Sequence, residues 1–204
     1  MILKRRSLGG YLKKIDLVDT HDYGVEVPPK SRRRLTLDAH LVHTAIEYRG
    51  DRSFPVIEFL ECGLPLLFSD FEFEVLTKEE MGKKFGETYP DRHLVRLRED
   101  VYDGAVAGDP FSRMTAAHEI GHLFEHEGIP LALMRKEASR SVPAYKSSEW
   151  QANAFAGALL MPACKIVGLT AEEVSERYEV TITAAYTQRN AMLKEAKKWN
   201  LPLL

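Results

Sequence analysis

The pentapeptide His118-Glu119-Ile120-Gly121-His122 constrains this chain more than any other feature. It reads H-E-x-x-H, and its surroundings predict a helix. On an α-helix, residues four apart lie about 40° apart in projection and roughly 6 Å apart along the axis, so two imidazoles can converge on one ion. Glu119 falls beside them, where a water on that ion would sit. Two ligands, an open coordination position and a carboxylate that takes a proton are the parts of a zinc hydrolase.

The punctuation around the motif supports a helix over residues 110–127. Asp109 suits the N-cap, Pro110 the first helical position and Gly128 the stop. A loop of about twenty residues follows before the next helix. Ser148-Glu149-Trp150-Gln151 reads as a capping box, with Ser148 as cap and Gln151 at the third helical position. That second helix runs through Ala- and Leu-rich sequence to Met161-Pro162.

A catalytic zinc needs a third protein ligand. His126 is near in sequence, but positions i, i+4 and i+8 of a straight helix span about 12 Å, too far for one tetrahedral ion. Leu123-Phe124-Glu125 offers no helix break that would shorten the span. Glu149 is the better choice, at the start of the next capped helix. An acid in a first turn also complements the helix dipole, so its position alone does not force the ligand role. Asn153, one turn beyond Glu149, is placed to accept the Nδ1–H of His118 or His122. Ala152, Ala154, Ala156, Gly157 and Ala158 on one helix, with Ala116, Ala117 and Gly121 on the other, allow a close crossing.

Composition narrows the setting. The 204 residues are 45% hydrophobic, enough for one domain with a small appendage and no need of disulfide staples. Cys62 and Cys164 are far apart in sequence and read as structural thiols in a reducing compartment. A net charge of −2 gives no global drive toward nucleic acid or an anionic surface. Met1–Arg6 has no apolar core of a secretory signal, and no stretch approaches the ~18 apolar residues of a membrane span. The expectation is a soluble cytoplasmic protein without membrane association.

The charge is uneven: residues 1–50 carry ten Lys/Arg against six Asp/Glu. Lys30-Ser31-Arg32-Arg33-Arg34 after Pro28-Pro29 reads as a solvated, partly flexible lead-in, with an arm touching nucleic acid or an acidic partner as the less favoured alternative. Residues 1–35 look irregular. A helix is expected over about 37–49, capped by Thr36, and another from Phe54-Pro55 that stops before Gly63. Phe71–Leu76 and Leu94–Arg98 are strand candidates, with Gly86 and Tyr89-Pro90-Asp91 marking a turn between them. Thr170 with Glu173 opens a short helix ending near Tyr178, and Thr181 caps a last helix of 182–198. This pair resembles a helix-turn-helix in layout, with basic residues too sparse for DNA reading. His40 and His43 with Asp38 lack further ligands for a second metal site. Phe155, Leu159, Leu160 and Met161 read as core.

Two blocks together resemble the ImmA/IrrE-type zinc metallopeptidases. The first is Met114-Thr115-Ala116-Ala117-His118-Glu119-Ile120-Gly121-His122-Leu123. The second is Glu149-Trp150-Gln151-Ala152-Asn153-Ala154-Phe155-Ala156 with Leu159-Leu160-Met161-Pro162. Asp100-Val101-Tyr102 is similar to the family as well. The resemblance covers about residues 70–198 and hardly touches 1–50. It implies a gluzincin-like fold with one zinc per chain. His118, His122 and Glu149 would be the ligands, and Glu119 the general base. It also implies a cytoplasmic protein substrate, a helix-turn-helix transcriptional repressor, in a mobile element or stress-response system.

The fold expected is therefore α+β and zincin-like: a small twisted sheet packed on the H-E-x-x-H helix and the Glu149 helix, with a C-terminal helical pair. The division expected is a basic lead-in over 1–50, a metallopeptidase core over 51–168 and the helical pair over 169–204. An oxyanion-stabilising or cleft residue is sought among Tyr102, His126 and Tyr145. The rival reading is a zinc-containing, non-catalytic regulator that binds a repressor or DNA. Ligand softness and spacing favour zinc, with manganese or iron as alternatives. Nothing in the sequence sets an oligomeric state.

Overall fold

The computed structural model describes residues 25–129 and 142–198. Residues 1–24, about half of the expected lead-in, lie outside the described residues, as do 130–141, part of the loop expected between the two motif helices.

The first helix, α1, is Arg32–Ala45, not 37–49. Ser31 is its cap, accepting from the Arg34 N–H at 3.2 Å, and Thr36 lies one turn inside. The basic cluster is therefore the start of a packed helix. Lys30 bonds Glu125, Arg32 lies over the Trp150 ring and Arg34 pairs with Asp38. Leu35, Ala39, Val42 and His43 form the buried face of α1. The helical stretch from residue 56 does not stop before Gly63. It runs as α2 (Val56–Glu58), a π-helical turn (Phe59–Gly63) and α3 (Leu64–Leu67). Pro65 has no N–H for an i→i−4 bond, and a widened turn just ahead of it absorbs the defect.

Strand β1 (Glu72–Leu76) leads to α4 (Lys78–Met81), capped by a Thr77–Glu80 box. Next come β2 (Gly86–Tyr89) and β3 (Leu94–Arg98). The sheet order is β1-β3-β2, with β1 parallel and β2 antiparallel to β3. The strands expected over Phe71–Leu76 and Leu94–Arg98 are present. Gly86, taken as a turn marker, instead starts a strand. α5 (Glu99–Val106) follows β3 directly, a helix the sequence reading did not place.

The motif helix α6 is Pro110–His126, capped by Asp109 and ended near Gly128 at φ 72°. The Glu149 helix α7 is Ser148–Leu160. Its cap is Ser147, one residue earlier than expected, so Gln151 is not a capping-box partner and its side chain serves elsewhere. After α8 (Ala163–Ile166) come α9 (Ala171–Tyr178) and α10 (Ile182–Lys198), with the Thr170–Glu173 box and the Thr181 cap as read from sequence.

α6 crosses α7 at close range. A Cβ on Gly121 would lie 2.8 Å from the Ala152 carbonyl oxygen, so only glycine fits. Ile120 and Leu123 meet Phe155 and Leu159 in one hydrophobic core that also takes in Val42, Leu97, Tyr178 and Met192. The Phe155-to-Met161 segment is core, as expected. Arg113, buried on α6, donates to the Phe54 and Glu179 carbonyls, and Tyr178 donates to the Gly50 carbonyl. These bonds tie the C-terminal pair to the motif helix and to the end of the first segment. Among the described residues, no helix is long and apolar enough to cross a membrane.

Candidate metal centre

His118 and His122 lie one turn apart on α6, and the α6–α7 crossing brings the first turn of α7 opposite them. The two Nε2 atoms are 3.0 Å apart. Glu149 Oε2 is 3.2 Å from His118 Nε2, and Oε1 is 3.3 Å from His122 Nε2. Atoms bound at 2.0–2.1 Å around a tetrahedral ion stand about 3.3–3.4 Å from one another. Two imidazole nitrogens and a carboxylate converging at this spacing suit a divalent metal. Among the described residues this is the cluster of three such side chains able to hold one.

The surroundings select the tautomers. Asn153 Oδ1 lies 3.1 Å from His118 Nδ1 and accepts its hydrogen, which leaves the Nε2 lone pair facing the cluster. His122 Nδ1 lies 3.0 Å from His126 Nδ1. Burial opposes charge on His118, but Glu149, Glu119 and Asn153 outweigh it and hold its pKa above the ordinary imidazole value. Burial likewise works against a charged Glu149, but the two histidines overcome it and hold its pKa below the usual carboxylate range. The two shifts share a cause: the carboxylate and the imidazoles stabilise each other's charged forms.

Glu119 is nearly buried and close enough to act on His118 through its charge. Two features of β2 fix its carboxylate. Thr88 Oγ1 lies 2.5 Å from Glu119 Oε2. Gly86 leaves room for the side chain, since a Cβ there would lie 2.6 Å from both Glu119 Cγ and Oε1. The sequence reading marks Gly86 only as a turn and does not single out Thr88. The available signal was a glycine followed at i+2 by a β-forming threonine, which fits a strand whose backbone approaches another element.

The other sequence candidates are dispersed. Tyr102, on α5, donates its hydroxyl to Glu61 at 2.7 Å and packs by Phe73. Tyr145 is half exposed in the short turn before Ser147, with its carbonyl accepting from Lys30 N–H and from Gln151. His126 does not line a cleft: it is 2% exposed, and burial, His122 and Lys30 push its pKa down to about 3. His43 bonds the Leu159 carbonyl at 2.7 Å and is structural, while His40 is exposed.

With this geometry in view, the comparison with known families is decisive for one part of the chain. Residues 107–188 match the peptidase M78 family model, the IrrE N-terminal-like domain. The matched span holds α6, α7 and most of the C-terminal pair, and so includes the whole His-His-Glu cluster. The ImmA/IrrE-type resemblance seen in the two sequence blocks thus holds for this segment. The family is one of metallopeptidases, which implies a bound metal and a protein substrate. A search of curated proteins found no match to the chain.

Proposed function

We propose that this chain is a zinc-dependent endopeptidase acting on a regulatory protein, with a helix-turn-helix transcriptional repressor as the substrate class. The observation that supports catalysis best is the convergence of His118 Nε2, His122 Nε2 and the Glu149 carboxylate beside Glu119. The repressor class rests on the family resemblance alone.

In this reading His118, His122 and Glu149 hold the ion. A zinc held there would supply Lewis acidity, polarising a peptide carbonyl and lowering the pKa of water to near neutrality. Glu119 is the general base: it takes a proton from the attacking water and returns it to the leaving amine. Thr88 and the open face of Gly86 hold the Glu119 carboxylate in one place, so no reorganisation is needed during proton transfer. Asn153 keeps the His118 ring in its metal-facing tautomer. A DNA-binding regulator finds less support, because Lys30, Arg32 and Arg34 turn toward Glu125, Trp150 and Asp38.

The test pairs elemental analysis with cleavage. Wild-type protein should carry about one zinc per chain. Glu119→Gln should keep the zinc and stop cleavage of helix-turn-helix repressors followed by mass spectrometry. Cleavage that survives in Glu119→Gln removes this mechanism.

A further inference from the structure

Two buried polar atoms next to the metal centre have no hydrogen-bond partner among the described residues: His126 Nε2 and Gln151 Oε1. The proposed chemistry assigns neither residue a role. Their neighbours define one.

His126 lies one turn beyond His122 on α6, with the two Nδ1 atoms 3.0 Å apart. Two neutral ring nitrogens at that distance form a bond only if one carries hydrogen and the other a lone pair. The metal reading above, on which this inference rests, requires a bare Nε2 on His122. The His122 hydrogen is then on Nδ1, and His126 Nδ1 must accept it. His126 therefore carries its own hydrogen on Nε2, which points into the protein and needs an acceptor.

Gln151 Oε1, equally unpaired, is able to accept it. Its side chain is fully buried on the first turn of α7 and lies within interaction range of His126. Its Nε2 donates to two carbonyls, Pro28 O and Tyr145 O, each at 2.9 Å. Both partners are acceptors, so the amide cannot be turned over, and Oε1 is the end left for His126. The amide is anchored from two directions, by the segment leading into α1 and by the turn leading into α7.

We propose that His126 is a positioning residue for His122, and that Gln151 sets the tautomer of His126. The line Gln151–His126–His122 then presents a bare Nε2 to the metal, as Asn153 does for His118. Each histidine ligand has its own fixed support, one through an amide and one through a second imidazole.

The first test is on unmodified, zinc-loaded protein, using long-range proton–nitrogen NMR of the histidine rings. His126 should carry its hydrogen on Nε2 and His122 on Nδ1. A His126 hydrogen on Nδ1 overturns the inference. The second test compares zinc affinity in two variants. His126→Leu keeps the bulk but removes the acceptor and should weaken binding at least tenfold. His126→Asn places an amide oxygen near the old Nδ1 position and should recover most of that loss. Wild-type affinity in His126→Leu overturns the inference while leaving the metal reading intact. A folded wild-type protein that takes up no zinc is a different outcome, and overturns both.

Discussion

Thr88 Oγ1 stands 2.5 Å from Glu119 Oε2 and 3.1 Å from the Glu119 backbone oxygen. A hydroxyl has one hydrogen to give, and the shorter contact is to the carboxylate. An edge-strand side chain thus holds the residue proposed as the base. Thr88→Val keeps the shape and deletes the donor. A hydrogen bond to a charged group is worth about 1.5–3 kcal/mol, so the cleavage rate should fall between about tenfold and a hundredfold. Zinc content should not change, and Thr88→Ser should restore much of the rate. Steady-state rates read beside metal analysis separate this from a loss of fold, which would take the zinc too.

Gly121→Ala poses a contest of two effects. In a helix interior alanine is favoured over glycine by about 1 kcal/mol. Against that, the new Cβ would fall 2.8 Å from the Ala152 oxygen and 3.0 Å from its Cα, both backbone atoms of a buried helix. Overpacking of this kind costs about 1–3 kcal/mol, and α7 has no flexible side chain there to yield. The expected outcome is a lower melting temperature together with weaker zinc binding, because moving α7 moves Glu149 away from the histidines. A more stable variant with unchanged zinc affinity would falsify the close crossing.

What was legible in the sequence was local. The H-E-x-x-H spacing, the Asp109 cap and the Pro110 start placed both histidines on one helix. A capped start and a run of small residues pointed to Glu149 as the third member, with Asn153 as acceptor for a histidine Nδ1–H, and the structure brings all four together. What was misread depended on distant partners. Gly86 looked like punctuation because its reason for being glycine, the Glu119 side chain, lies 33 residues away. Lys30 and Arg32 looked solvated because Glu125 and Trp150, which receive them, sit on other helices, while Arg33 and Arg34 are exposed as read. His126 looked like a cleft residue because Gln151, buried beside it, read as part of a cap.

His93 links the start of β3 to the end of the motif helix, with Nδ1 2.7 Å from Asp70 Oδ1 and Nε2 3.2 Å from Glu127 Oε1. Burial disfavours its charged form, but the two carboxylates outweigh burial and raise its pKa above 6.5. A raised imidazole pKa stabilises the fold fully below about 6.5, and that contribution is lost as pH rises through the folded value. His93 is also in the left-handed region at φ 46°, where asparagine is tolerated. Urea midpoints for wild type should therefore drop more between pH 5.5 and pH 8.5, on the order of the usual imidazole range, than those of His93→Asn. Parallel pH profiles for the two proteins would mean that the exposed partners are screened by solvent.

Glu149→Ala separates the metal reading from a purely structural histidine pair. Glu149 is bonded to both histidines, and its removal leaves two imidazole nitrogens 3.0 Å apart with no carboxylate facing them. If Glu149 serves the ion, zinc affinity should fall by at least tenfold, measured by competition with a chromophoric chelator. Any stabilisation that added zinc gives the wild type should shrink in step, since a ligand that binds only the native state stabilises it by mass action. If Glu149 serves only the helix dipole, the variant loses about 0.3–1 kcal/mol of stability while its zinc affinity stays at the wild-type value. The two outcomes move different observables, so one variant with two measurements distinguishes them.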